Sequence, residues 1–138
     1  GRDHNVSFIQ QMIMFFGFFP VVGDARGLRQ PVHAEDLADA CAASINNSQA
    51  ANKVFNLSGG ETLTYYDMVE RIFLSENKAP RIMRVPVPIL KFVVQILSLL
   101  PPWKHLTPDM VDRINQDMVF DHTDAARYLS YSPRNFLC

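Results

Sequence analysis

The segment Gly27–Ala38, GLRQPVHAEDLA, most constrains what this chain can fold into. Pro31 fixes its own φ and has no N–H to donate. Leu28–His33 therefore reads as extended chain at a sheet edge or a strand start. Glu35 and Asp36 follow directly, where carboxylates suit the positive end of a helix dipole. Before it, Gly23–Gly27 is a turn with two glycines and two charges. An extended segment that runs from a turn into an acid-opened helix is a building block of α/β architecture.

The rest of the chain repeats that alternation. Asn5 is placed to cap a helix that carries Phe8, Ile9, Met12, Ile13 and Phe16 at helical spacing and stops at Gly17. Phe19–Val22 reads as a strand or extended loop. The helix after Glu35 is expected to turn Leu37, Ala40, Cys41, Ser44 and Ile45 inward and to end at Asn46–Ser48. Lys53–Leu57 reads as a strand, and Gly59-Gly60 as a turn. Thr64 with Asp67 resembles a capping box. Leu63 and Met68 are placed as its hydrophobic staple, and Met68, Val69, Ile72 and Phe73 as its buried stripe. Arg81–Val85 is strand-sized. Pro86 and Pro88 open a helix running to about Leu100. Thr107–Asp109 starts another, with Met110, Val111, Ile114 and Met118 on one side, and Thr123–Leu129 forms a last short one. The expected class is α/β, or α+β for an isolated piece, with parallel crossovers.

With 138 residues, 48% hydrophobic and 20% charged, the chain is one domain's worth of ordinary globular protein. A net charge of −1 gives no global pull toward nucleic acid or an anionic membrane; neither is expected as a partner. Two cysteines, Cys41 and Cys138, form no framework or metal pair, which suits a reducing, cytoplasmic setting. The longest apolar run, Val85–Pro102, is broken by Lys91, Gln95 and Ser98, and is short for a spanning helix. Its nearly all-apolar helix is expected to be buried or to make a subunit contact. Trp103 is expected at an interface edge. The start at Gly1-Arg2-Asp3 reads as mid-loop, so residues 1–138 are expected to be a single piece of a longer protein.

Arg29 is the first candidate for chemistry, because an Arg beside a strand can present its planar fork to a phosphate. A surface pair with Asp24 or Glu35 is the alternative. His33 lies next to Glu35 and Asp36 as a possible base or ligand, or as a structural histidine. His4, His105 and His122 make no ligand spacing. Phe15, Phe16, Phe18 and Phe19 could stack a planar ligand or fill a core. Ser58-Gly59-Gly60 is not a phosphate loop, and no G-x-G-x-x-G, G-x-S-x-G or C-x-x-C occurs.

Three stretches in order carry a family resemblance: GLRQPVHAEDLA from Gly27, VFNLSGGETLTY from Val54, and AARYLSYSPRNF from Ala125. Together they resemble the C-terminal half of extended short-chain dehydrogenase/reductases, the NAD-dependent epimerase/dehydratase family. The resemblance implies a Rossmann-type parent, an oxidoreductase or isomerase in which an N-terminal domain binds NAD or NADP. This chain would supply the substrate-binding part, usually for a nucleotide-sugar. The family's glycine fingerprint and Tyr-x-x-x-Lys pair are absent here, so no catalytic residue and no cofactor is expected on these residues themselves. The resemblance implies substrate contacts at Asn5 and Val6 (phosphate and nucleotide), Pro20 and Val22 (base) and Arg29 (diphosphate). His33 and Asp36 match structural positions. The parent is expected to be a homodimer. Ser130 stands where the family usually has Gly. Some relatives with a similar Arg-Gln-Pro-Val-His segment act on other substrates, or are non-catalytic subunits of membrane complexes. The alternative is therefore a non-catalytic binding or assembly subunit docking on a protein complex or a membrane through residues 86–102.

Overall fold

The computed structural model describes residues 4–137, leaving aside the side chains of His4, Asn5 and Pro102. In chain order the elements are helix α1 (His4–Phe16), strands β1 (Phe19–Val22) and β2 (Leu28–Arg29), helix α2 (Ala34–Ile45), strand β3 (Leu63–Thr64), helix α3 (Tyr65–Ser75), strand β4 (Ile82–Val85), and helices α4 (Val87–Leu97), α5 (Asp109–Arg113) and α6 (Thr123–Leu129). β1 and β4 pair in parallel, with Phe19 opposite Ile82 and Val22 opposite Val85. The expected parallel crossover is present, and the fold is mixed α/β. β2 and β3 form a second two-stranded sheet.

The chain divides into two compact units. One comprises residues 4–28 and Leu63–Asp117, and large apolar side chains build it. Ile9 and Ile13 of α1, Val21 of β1, and Val69, Ile72 and Phe73 of α3 are fully buried. The α3 start follows its sequence signal. Thr64 Oγ1 accepts from the Asp67 N–H at 3.1 Å, and Leu63 and Met68 are both buried. Gly17, at φ +71°, ends α1 as expected, its N–H bonding Ile13 O. Gly27 is required by space, since a Cβ there would strike the backbone of Ile114 and Gln116.

The other unit comprises Arg29–Thr62 and residues 118–137. Its apolar centre is small: Ala40, Ala125 and Tyr131, with Val32, Phe55 and Leu57 packed on them. Polar bonds do much of the rest.

Several expectations change. α1 begins at His4, so Asn5 lies inside its first turn and is not the cap. Lys53–Leu57 forms no ladder. On α2 only Asp36 and Ala40 are buried, while Cys41, Ser44 and Ile45 are exposed, because the apolar centre this helix covers is narrow. α4 buries only Leu90, and most of its apolar residues are exposed. Trp103, in contrast, is buried. Phe8, Phe15 and Phe16 of α1 pack around it with ring centroids 5.8–6.4 Å away.

Candidate functional site

The opening segment is pinned along its length. Arg29 makes a parallel bridge with Met118 and is half-buried at the end of β2. Next to it, the Gln30 side chain works in both directions. Its Nε2 donates to Thr62 Oγ1 at 3.2 Å, and its Oε1 accepts from the Phe120 N–H at 2.7 Å. Gln30 O accepts from the Gly59 N–H at 3.2 Å. Gly59 packs so closely on Pro31 O that a side chain could not be accommodated. Arg29 is thereby carried on backbone fixed from both sides, which is what an orienting residue needs.

His33 caps α2: its Nδ1 accepts from the Glu35 N–H at 3.3 Å. With that lone pair occupied, His33 serves the helix start. Asp36 is nearly buried and is satisfied by Arg134, which donates from Nε at 2.8 Å and from its backbone N–H at 2.9 Å. Arg134 Nη1 also reaches Glu35 at 3.0 Å. Glu35 above all, together with Asp36, raises the guanidinium pKa further. The Asp24 carboxylate meets Arg26 at 3.4 Å and Arg84 at 3.1 Å.

A second polar knot lies under the Gly59-Gly60 turn. Ser58 is buried, and its Oγ donates to Phe120 O at 2.9 Å while lying 2.6 Å from His122 Nδ1. A hydroxyl has one proton, so with that donation His122 must supply the other from Nδ1. Tyr131 donates its hydroxyl to Ser58 O at 2.9 Å. Burial, and secondarily the Asp36 charge, push the Tyr131 pKa up. At the start of α6, Asp121 accepts from both the N–H and the hydroxyl of Thr123, which holds its carboxyl below the usual range. A serine beside a histidine resembles a nucleophile and its base, but a buried Ser58 that already donates to a carbonyl is a structural lock.

The remaining sequence-predicted positions lie in the apolar unit. Val6 is half-buried on α1 and Pro20 half-buried on β1, while Val22 is buried and paired opposite Val85. The Asn5 side chain lies outside the described residues. Among the described residues no cluster of His, Cys, Asp and Glu could hold a metal. The residues present do not fit a dinucleotide cradle, because the sequence has no glycine fingerprint at a strand-to-helix turn. Sequence reasoning missed Gln30, Ser58, His122 and Arg134. Their partners stand far away in sequence, so no local spacing points to them.

No protein family model matches the chain. Over 77 residues it is 29% identical to the mitochondrial NADH dehydrogenase (ubiquinone) 1 alpha subcomplex subunit 9 of Arabidopsis thaliana; the match covers 55% of this chain and 19% of that protein. The chain thus spans about a fifth of that relative's length. Among solved structures, the NADPH-dependent quinone oxidoreductase QOR2 of Escherichia coli aligns with TM-score 0.62 and 16% identity, over 94% of this chain and 47% of that one. The UDP-glucuronic acid 4-epimerase of Bacillus cereus, solved with NAD, aligns with TM-score 0.58 and 14% identity, over 93% of this chain and 33% of that one. Nearly the whole chain thus shares the fold of parts of Rossmann-type, NAD(P)-linked proteins.

Proposed function

We propose that this chain is the substrate-side part of a larger NAD(P)-dependent oxidoreductase of the epimerase, dehydratase or reductase kind. Its work is to position a nucleotide-sugar or a similar phosphate-bearing substrate. One observation carries the reading. Arg29 sits at a strand end whose neighbours Gln30 and Pro31 are locked by Phe120, Thr62 and Gly59. A guanidinium on a fixed backbone loses little freedom when it grips a diphosphate in two-point fashion. The fold shared with NAD(P)-linked proteins supports this setting. Asn5, Val6, Pro20 and Val22 complete the proposed substrate contacts, and the setting is a cytoplasmic homodimer. The nicotinamide cofactor, held by the remainder of the protein, would supply hydride transfer. The residues of this chain bind and orient.

The test uses the whole protein. Arg29→Ala should weaken binding of a UDP-sugar, measured by calorimetry, by ~1.5–3 kcal/mol, the scale of a charge-assisted hydrogen bond. NAD(P) affinity should not change. Unaltered UDP-sugar affinity in a folded variant would sink the assignment.

A second reading has its own support. The relative in Arabidopsis is by name a subunit of NADH dehydrogenase, and α4 leaves an apolar face open. On this reading the protein is a non-catalytic assembly subunit. A Tyr-x-x-x-Lys pair in the rest of the protein would favour catalysis, and its absence the subunit.

A further inference from the structure

Helix α4 has three faces where an ordinary surface helix has two. At 100° per residue, Leu90, Val94 and Leu97 fall on one stripe, and all three are buried or half-buried. Lys91, Gln95 and Ser98 fall on a second, polar stripe. Ile89, Phe92, Val93 and Ile96, continued by Leu99 and Leu100 just past the helix end, fall on a third. All six of these last residues are exposed, Phe92 at 64% and Leu99 at 77%. The inner stripe already satisfies packing within the unit. The outer stripe is therefore apolar surface beyond what folding requires.

Apolar exposure does not stop at α4. Leu100 O accepts from the Trp103 N–H at 3.0 Å, and on Trp103 pack Phe15 of α1, edgewise, and Phe16, tilted. Phe15 and Met14 are themselves exposed. Exposed apolar side chains at the end of α1 thus gather on the buried Trp103 that follows α4.

Charge decides the occupant. Between Glu76 and Asp109 the sequence carries Lys78, Arg81, Arg84, Lys91 and Lys104, and not one Asp or Glu. The net charge of the whole chain hides this local imbalance. Two of these cations meet acids from elsewhere: Arg84 meets Asp24, and Lys91 meets Asp112 at 2.9 Å. Lys78, Arg81 and Lys104 are exposed at the two ends of the segment. A second copy of the same face would bring cations against cations. A bilayer of anionic lipid would accept both the apolar stripe and its charged flanks. No described helix is long and apolar enough to cross a membrane, so the helix would lie along it.

We propose that the outer face of α4 seats this protein on an anionic lipid surface, with α4 parallel to the membrane plane. The proposal does not depend on Arg29 or on a cofactor. A failure of UDP-sugar binding leaves it standing.

The whole protein should co-sediment with phosphatidylcholine vesicles containing phosphatidylglycerol. Binding should be about tenfold weaker on pure phosphatidylcholine, and should weaken as salt rises. Phe92→Glu with Ile96→Glu should abolish it. These side chains are exposed, so an unchanged melting curve is expected and serves as the folding control. Lys104→Glu, outside the helix, should lower binding to the anionic vesicles alone. Absence of vesicle binding would overturn the proposal, as would undiminished binding by the double variant. So would a folded double variant that goes from dimer to monomer with no vesicle binding by the parent, because the occupant would then be a second copy. Destabilisation by the double variant, with no vesicle binding by the parent, would mean that the protein's own remaining chain covers the face, and would also overturn it.

Discussion

The two units of this chain solve stability in opposite ways. The apolar unit relies on volume: Ile9, Ile13, Val69, Ile72 and Phe73 are buried to completion around a parallel strand pair. The polar unit relies on direction. Its apolar centre is small, and its segments are tied by Asp36 to Arg134, by Ser58 to Phe120 and His122, and by Gln30 to Thr62 and Phe120. Apolar burial is non-directional and tolerates approximate shapes. Hydrogen bonds fix orientation and are costly when half made. The comparison teaches where positioning belongs. The proposed phosphate grip, Arg29, stands in the unit built from directional bonds. The open docking face stands in the unit with apolar area to spare.

If volume holds the apolar unit, its largest fully buried side chain should be its most sensitive point. Phe73→Ala should cost ~3–5 kcal/mol in urea unfolding of the whole protein. A cost under about 1 kcal/mol would show that α3 can collapse onto the gap, and the contrast between units would fail. In the polar unit, Asp36→Ala should cost about 2–3 kcal/mol, since it removes two bonds from Arg134 and strands their donors. Asp36→Asn should recover part of this by keeping one acceptor. Equal losses for Ala and Asn would mean that charge and not direction holds the latch.

How much of this was legible depended on the distance between partners. The α3 start was readable because Thr64, Asp67, Leu63 and Met68 all lie within one turn. β4 and α6 were readable for the same local reason, and β1 from its short apolar run between two glycines. The pairing of β1 with β4 was expected only as a class of crossover. The latches were not readable. Asp36 looked like a helix-opening acid, which it is, but its partner Arg134 is far along the chain, past the last helix. Of the candidate site, Arg29 came from spacing and resemblance, while the bonds that fix its backbone came only from the fold. The strand expected at Lys53–Leu57 failed because a short apolar stretch cannot say whether a partner strand is present. The α4 expectation failed differently, since apolarity on every side does not say how many sides are covered.

Tyr131 offers a pH test of the directional unit. Its hydroxyl donates to Ser58 O, and burial raises its pKa. A raised pKa means that the folded protein holds this proton more firmly than the unfolded chain does. The resulting stabilisation is complete below the ordinary tyrosine value of about 10 and is lost as pH climbs through the raised one. Tyr131→Phe should cost about 1 kcal/mol at neutral pH and should flatten the alkaline decline in melting temperature. A decline as steep as that of the parent would assign the alkaline sensitivity to other groups.

The smallest expected effect is the sharpest test of backbone detail in the same unit. Ser130 closes α6 in the left-handed region, at φ 53° and ψ 33°, where a Cβ crowds the following carbonyl. It is exposed, and no bond from its side chain offsets the strain among the described residues. Ser130→Gly relieves that crowding, but it also gives the unfolded chain more freedom. The net should be a gain of roughly 0.5 kcal/mol. Ser130→Ala should leave stability where it is, because alanine keeps the Cβ. If alanine instead destabilises, the serine hydroxyl contributes to the cap, and the tie at this helix end is one more directional bond.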